Sequence, residues 1–213
     1  MTESDPIDGA TVVLTGATAG IGRASAERLA ARGARLVLVG RDPARGARAV
    51  REITAATGNP AVEFLAADLS SQAAVRAAAD ELGRRPAGID VLVNNVGGLY
   101  ADRWLTADGR EASLAMNFLN PLLLTSLLRP ALRGHALGRP RAVFVSSSVI
   151  RMVRPTLDDP DAARWYRGLD VYGRTKLLGA LAAVELGRRA PELDVVVVDP
   201  GSAATDMIIP AWQ

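Results

Sequence analysis

The sequence contains no cysteine and one histidine. These absences exclude a disulfide framework and a thiol-ligated metal site, and no metal is expected. His135 lies in LRGHALGRP, between apolar segments, and reads as a loop residue. Aromatic residues make up only 4% of the chain, and the net charge is +2. The arginines are scattered among acids, without a basic stripe or interleaved aromatics. They read as solvated helix faces, and no nucleic-acid partner is expected. No apolar run reaches the roughly 20 residues that a membrane helix needs. The start, MTESDPIDGA, lacks the basic and apolar regions of a secretory signal. The expectation is a cytoplasmic protein with no membrane partner. The sharpest scarcity is lysine. Of 25 cationic residues, Lys176 is the one lysine and the rest are arginine. Lysine-poor, alanine- and arginine-rich usage points to a genome rich in G and C, hence to a bacterial source.

What is present is apolar, 49% of the chain, and mostly Ala, Leu and Val. A chain of 213 residues fits one domain that buries roughly 70% of its unfolded surface. Short β-branched runs alternate with longer Ala/Leu/Arg segments. The runs are 11–15, 35–40, 61–66, 89–93, 141–146 and 194–198. Each is apolar nearly throughout, as in a parallel strand covered on both faces. Helical patterns lie between them near 21–32, 43–57, 71–83, 106–133 and 161–189. This alternation predicts an α/β fold with a doubly wound parallel sheet and helices on both faces.

The first strand runs into TGATAGIGRASAERLAARG, with Gly16, Gly20 and Gly22 ahead of a helix. The spacing G-x-x-x-G-x-G differs from the G-x-G-x-x-G fingerprint, but the physical task is the same. Glycines let the backbone approach a pyrophosphate, and the helix N-terminus offers free N–H groups at its positive end. At the end of the second run, LVGRDP places Gly40 and Arg41 where an acid would hold an adenosine ribose diol. Arg41 can fork onto a 2′-phosphate, which favours NADP(H) over NAD(H). Asp42 complicates this, but it precedes Pro43 and better suits a helix cap.

These motifs, in this order, resemble the short-chain dehydrogenases/reductases, and LTADGREASLAMNFLNPLLLTSLL is most similar to the retinol-dehydrogenase-like branch. The resemblance spans residues 11 to about 207. It implies a Rossmann-like sheet and a cofactor bound by Gly16, Thr18, Gly20, Ile21 and Gly22. In AADLS, Asp68 would bind the adenine and Leu69 would lie near it. Asn94, Asn95 and Gly97 come from NNVGG, and Pro200, Gly201 and Thr205 from DPGSAAT. Tyr172 and Lys176 form the Tyr-x-x-x-Lys pair, which also touches the cofactor. The implied catalytic set is Asn117, Ser147, Tyr172 and Lys176.

The residues supply reasons for these roles. A tyrosine that gives a proton to a carbonyl oxygen has an ordinary pKa of about 10. A nearby cation would bring it toward working pH. Residues i and i+4 share a helix face, so Lys176 lies beside Tyr172, and a compact amine fits there where a guanidinium would not. Ser147 ends the fifth run and would hold the substrate oxygen; Ser146 and Ser148 compete for the task. Tyr166 competes with Tyr172 but has no lysine four residues on. Pro121 has no N–H and frees the carbonyl of Asn117. The resemblance implies that this carbonyl holds a water relaying protons to Lys176.

Two features depart from the family. Ser147 and Tyr172 stand further apart than in compact members, and the segment between them would line the substrate mouth. Trp165 and Met152 there would contact an apolar substrate, or equally pack the lid. The chain also stops at Gln213, where the family continues into a substrate-covering part and a seventh strand. Residues 1–213 therefore read as one dinucleotide-binding domain with six strands and the seventh missing. The run 194–198 would be an apolar edge, to be covered by a partner subunit, by the tail MIIPAWQ or by further sequence. The leading expectation is an NADP(H)-dependent oxidoreductase acting on a small-to-medium apolar alcohol, ketone or aldehyde, with a homodimer, or a higher homo-oligomer, paired through the Asn117 and Tyr172 helices. Alternatives are a biosynthetic cyclase, dehydratase or isomerase, and a cofactor-binding partner protein without turnover.

Overall fold

The computed structural model describes residues 7–154 and 156–201 and the backbone of Ile208–Ile209. In chain order the strands are β1 (Thr11–Thr15), β2 (Arg35–Gly40), β3 (Val62–Ala66), β4 (Val91–Asn94), β5 (Leu99–Tyr100), β6 (Arg141–Val145), β7 (Asp194–Val198) and β8 (Ile208–Ile209). Six of them form one parallel sheet in the order β3-β2-β1-β4-β6-β7, while β5 and β8 pair separately. The helices are α1 (Gly20–Ala31), α2 (Pro43–Thr57), α3 (Gln72–Gly83), α4 (Ala112–Leu114), α5 (Asn120–Leu128) and α6 (Gly168–Arg189).

The near-continuous apolar strands are explained by burial on both faces. Along β1, Val13 packs into one core with Val75 and Leu82 of α3, Leu124 and Leu128 of α5, and Ala183 of α6. Its neighbours Val12 and Leu14 point the other way, toward Ala26 and Ala30 of α1 and Ala49 and Ile53 of α2. Side chains alternate across a strand, so one apolar run feeds two cores. At the N-terminal edge of the sheet, the buried Asp90 carboxylate accepts the N–H groups of Thr11 (2.8 Å) and Ala136 (2.7 Å). It thereby satisfies two donors that would otherwise cost about 1–3 kcal/mol each. The doubly wound α/β class expected from the sequence is the one found.

Two helices are shorter than their patterns. The segment expected near 106–133 is helical only from Ala112. Before it, Gly109 takes φ +72 and closes a turn in which Thr106 N–H bonds to the Arg110 carbonyl. The helix is then π-wound over Ala115–Leu119 and ends in a 3₁₀ turn, Arg129–Ala131, around Pro130. The segment expected near 161–189 begins at Gly168. Ala162, at φ 48, breaks the chain direction, and the Asp159 carboxylate accepts the N–H groups of Ala163 and Arg164 there. The edge strand β7 is packed on one face, where Val195 and Val197 meet the core, and Val196 is exposed. The described tail residues Ile208–Ile209 pair with Leu99–Tyr100 and do not extend the sheet beyond β7.

Candidate active site

Most of the candidate residues follow the C-terminal ends of the parallel strands, and the strand order reverses between β1 and β4. Ligands bind at such switch points. After β1, Gly16 takes φ +67, and α1 starts at Gly20, φ +51. Gly22 is buried against this turn; a Cβ there would stand 2.2 Å from the Gly16 carbonyl oxygen. Ala19 gives α1 no side-chain cap, and its first turn has no acid. The leading N–H groups are therefore suited to an anion. Thr18 lies against Gly40 at the end of β2, with Ile21 half-buried behind it.

Arg41 is exposed just past β2. The Asp42 carboxylate accepts the N–H groups of Ala44 (2.9 Å) and Arg45 (3.1 Å), so it caps α2 as its position before Pro43 suggested. Asp68 is exposed after β3 and accepts the Ser70 N–H, while the carbonyl of buried Leu69 accepts the Asn120 amide at 2.8 Å. After β4, Thr15 organises the turn. Its hydroxyl donates to the Val93 carbonyl and accepts the N–H groups of Asn95 and Val96. Asn95 returns its amide to the Thr15 and Gly16 carbonyls. Asn94 is buried and bonds to Thr125. Gly97 is crowded by two of the candidate residues: a Cβ would stand 2.7 Å from Asn117 Oδ1 and 2.9 Å from Lys176 Nζ. Pro200 and Gly201 are exposed after β7. Thr205 lies outside the described residues.

The four expected catalytic residues converge. Tyr172 and Lys176 are both buried on one face of α6, with Nζ 5.9 Å from the phenol ring centre. Ser147 hydrogen-bonds to the Tyr172 phenol and accepts the Val149 N–H. Ser146 is buried beneath, and Ser148 is exposed. Tyr166 turns away and donates to the Tyr100 carbonyl at 3.0 Å. The Asn117 amide donates to the Gly98 carbonyl (3.1 Å) and to Thr175 Oγ1 (3.0 Å), and its oxygen accepts the Gly98 N–H (3.0 Å). A small cavity, with room on the order of one water, lies among Asn117, Pro121, Lys176 and Gly179. Asn94 and Ser146 line it too, and their buried Oδ1 and Oγ have no hydrogen-bond partner among the described residues.

The electrostatics correct the sequence expectation. A cation was expected to draw the phenol toward working pH. Instead, burial pushes Tyr172 above its ordinary value, the Ser147 hydroxyl opposes this, and the Asp199 charge adds to it. Burial also lowers Lys176 to about 8. Nζ donates to the Val145 carbonyl at 2.7 Å rather than toward the phenol. Desolvation disfavours both charged forms and is the largest cause of each shift. Among the residues that sequence reasoning missed, Thr15 and Thr175 had only a polar side chain in an apolar segment as a signal. Glu111 and Asp161 had none.

The model of the family described as short chain dehydrogenase matches residues 10–158. The chain belongs to this family. A candidate daunorubicin C-13 ketoreductase, DnrU, of Streptomyces sp. (strain C5) is 40% identical over 200 residues, 93% of this chain and 68% of the relative. Human retinol dehydrogenase 11 is 34% identical over 209 residues, 97% of this chain and 65% of the relative. The chain thus spans about two thirds of the length of these relatives, and it sits in the retinol-dehydrogenase-like part of the family. Among solved structures, an uncharacterized protein from Mycobacterium paratuberculosis superposes with a TM-score of 0.80 at 34% identity, covering 92% of this chain and 69% of that one. A short-chain dehydrogenase from Sphingobium yanoikuyae, in complex with NADPH, gives 0.74 at 30% identity, covering 93% and 73%. No described helix is long and apolar enough to cross a membrane.

The burial of Lys176 generates a prediction. Its folded pKa is about 8 against an ordinary 10.5, so between those values the unfolded chain binds the extra proton. Stability therefore rises with pH in that window, by about 1–2 kcal/mol from pH 8 to 9.5. Denaturant unfolding of the ligand-free protein at several pH values should show this rise, and Lys176→Met should flatten it. A wild-type profile already flat over the window would contradict the burial effect.

Proposed function

We propose that this chain carries an NADP(H)-dependent oxidoreductase that interconverts an apolar alcohol and its ketone or aldehyde. The observation behind this reading is the convergence of Tyr172, Ser147, Lys176 and Asn117 beside a glycine turn that a single Cβ at Gly22 would fill. The residues fit a nicotinamide dinucleotide. Gly16, Gly20, Gly22 and the α1 N-terminus suit its pyrophosphate, Arg41 a 2′-phosphate, and Asp68 and Leu69 its adenine. Asn95, Gly97, Pro200 and Gly201 would border the bound dinucleotide. Bound there, the cofactor supplies or accepts the hydride.

The chain's own residues would do the rest. Ser147 donates a hydrogen bond to the substrate oxygen and holds it at the Tyr172 hydroxyl. Tyr172, held protonated by burial, gives its proton to that oxygen during reduction and takes it back during oxidation. Lys176, whose Nζ donates to the Val145 carbonyl, would offer its remaining hydrogens to the ribose hydroxyls of the cofactor. Asn117 holds the turn after β4 against α6 and offers the cavity through which a water would resupply protons. The named relatives are dehydrogenases and a ketoreductase, which supports redox chemistry over the cyclase, dehydratase and isomerase readings.

We further propose a homodimer. Leu181 and Val184 on α6 and Leu127 on α5 are large apolar residues left exposed, and a two-fold pairing of these helices would cover them. Light scattering at micromolar concentration is expected to give twice the chain mass; a monomer there would refute the pairing.

The functional reading is tested by titrating the protein with NADPH and NADH, then following cofactor absorbance against a panel of apolar ketones and aldehydes. NADPH is expected to bind more tightly, and Arg41→Ala to weaken NADPH about 10- to 100-fold while leaving NADH nearly unchanged. Tyr172→Phe is expected to cut kcat by about 10²- to 10⁴-fold without loss of cofactor binding. Cofactor binding with no turnover of any carbonyl would overturn the oxidoreductase reading, and equal affinity for both cofactors would overturn the role of Arg41.

A further inference from the structure

The long segment between Ser147 and Tyr172 brackets the candidate site. Its first part, the 3₁₀ turn Ser148–Met152, packs on α6 beside Tyr172, where a Cβ on Gly173 would meet Val149 and Val153 at 2.9 and 2.8 Å. Its last part, 156–167, is irregular, yet polar contacts fix it at both its turn and its end.

Asp159 closes a turn by accepting the N–H groups of Ala163 (2.9 Å) and Arg164 (3.0 Å). Inside that turn, Ala162 is buried at φ 48. A residue with a Cβ holds that conformation only where its surroundings over-determine it. The surroundings here are Asp161. One carboxylate oxygen accepts the Glu111 N–H at 2.9 Å, and the other lies 3.0 Å from the Arg110 guanidinium. Its carbonyl accepts Arg103 Nε at 2.9 Å. Tyr166 adds the bond to the Tyr100 carbonyl. All these partners belong to residues 100–111. That stretch ends at Glu111, whose wholly buried carboxylate accepts the N–H groups of Ser113 and Leu114, both at 2.8 Å, and so starts the helix leading to Asn117.

We infer that Asp161 is a positioning residue that fastens segment 156–167 to segment 100–111, so that the substrate mouth is set before substrate arrives. One side chain and its carbonyl join three partners on the far segment, and the left-handed Ala162 beside it marks a conformation imposed by those bonds. The kinetic consequence rests on the oxidoreductase reading; the fastening does not.

Two variants of the full chain test this. Asp161→Ala removes both carboxylate contacts. Asp161→Asn keeps an oxygen for the Glu111 N–H but loses the charge facing Arg110. Hydrogen exchange of the ligand-free protein is expected to speed up at least tenfold at the amides of Glu111 and of Ala162 to Arg164 in Asp161→Ala, with the β1 and β4 amides unchanged. Asp161→Asn should recover most of that protection. With NADPH and an apolar ketone, the KM of Asp161→Ala should rise tenfold or more while kcat stays within threefold and NADPH affinity is unchanged, and Asp161→Asn should lie between it and wild type. Unchanged exchange at these amides would overturn the fastening. Faster exchange with an unaltered KM would overturn the link to the mouth. If the wild type reduces no carbonyl, the functional reading fails, and the exchange result alone decides the fastening. Should Asp161→Ala fail to fold, a Glu111 exchange rate and KM identical to wild type in Asp161→Asn would still refute the inference.

Discussion

One buried amide joins the parts of this site. The Asn117 side chain spends both its hydrogens and its oxygen on Gly98 and Thr175. Thr175 in turn donates to the Tyr172 carbonyl at 3.0 Å. The turn after β4 and the α6 turn bearing Tyr172 and Lys176 are thereby held in one register. The backbone must come close for this to happen. Gly179 permits it, since a Cβ there would stand 2.7 Å from the Asn117 carbonyl oxygen. The π-wound stretch Ala115–Leu119 ahead of Pro121 presents that carbonyl to α6. Removing the amide would strand buried partners at about 1–3 kcal/mol each.

That tight joint has an electrostatic consequence. Packing Tyr172 and Lys176 under the β4 turn takes both out of water, and desolvation then disfavours phenolate and ammonium alike. The phenol stays protonated, which suits the proton-donor role proposed for it. Tyr100 shows the same effect more strongly, raised to about 12 by burial, with Arg41 opposing. The shift on Tyr172 is tempered by the Ser147 hydroxyl, which joins the two side chains in one hydrogen-bonded unit.

Much of this was legible in the sequence, because it rests on local pattern. Six apolar runs became six parallel strands, since a strand buried on both faces has no polar side to show. TGATAGIG reads as a tight turn before a helix because glycine spacing is a backbone signal. Tyr172 and Lys176 read as a pair because four residues make one helical turn. What was not legible depends on contacts distant in sequence or on unusual backbone. Nothing local announces that Glu111 folds back to cap its own helix, or that Asp161 reaches across to residues 103–111. Ala162 carries no mark of its left-handed conformation, and Gly109 looked compatible with a continuous helix. The direction of the Tyr172 shift is hidden from the sequence for a related reason. Sequence places a cation nearby, but burial is a property of the assembled site.

In the assembled site burial holds the Tyr172 phenol neutral. Ultraviolet titration of tyrosinate in the ligand-free protein, taken as the difference between wild type and Tyr172→Phe, measures this directly. Tyr172 is expected to ionise above the ordinary value of about 10. Ionisation below that value would show that the Lys176 charge outweighs desolvation, and would contradict it.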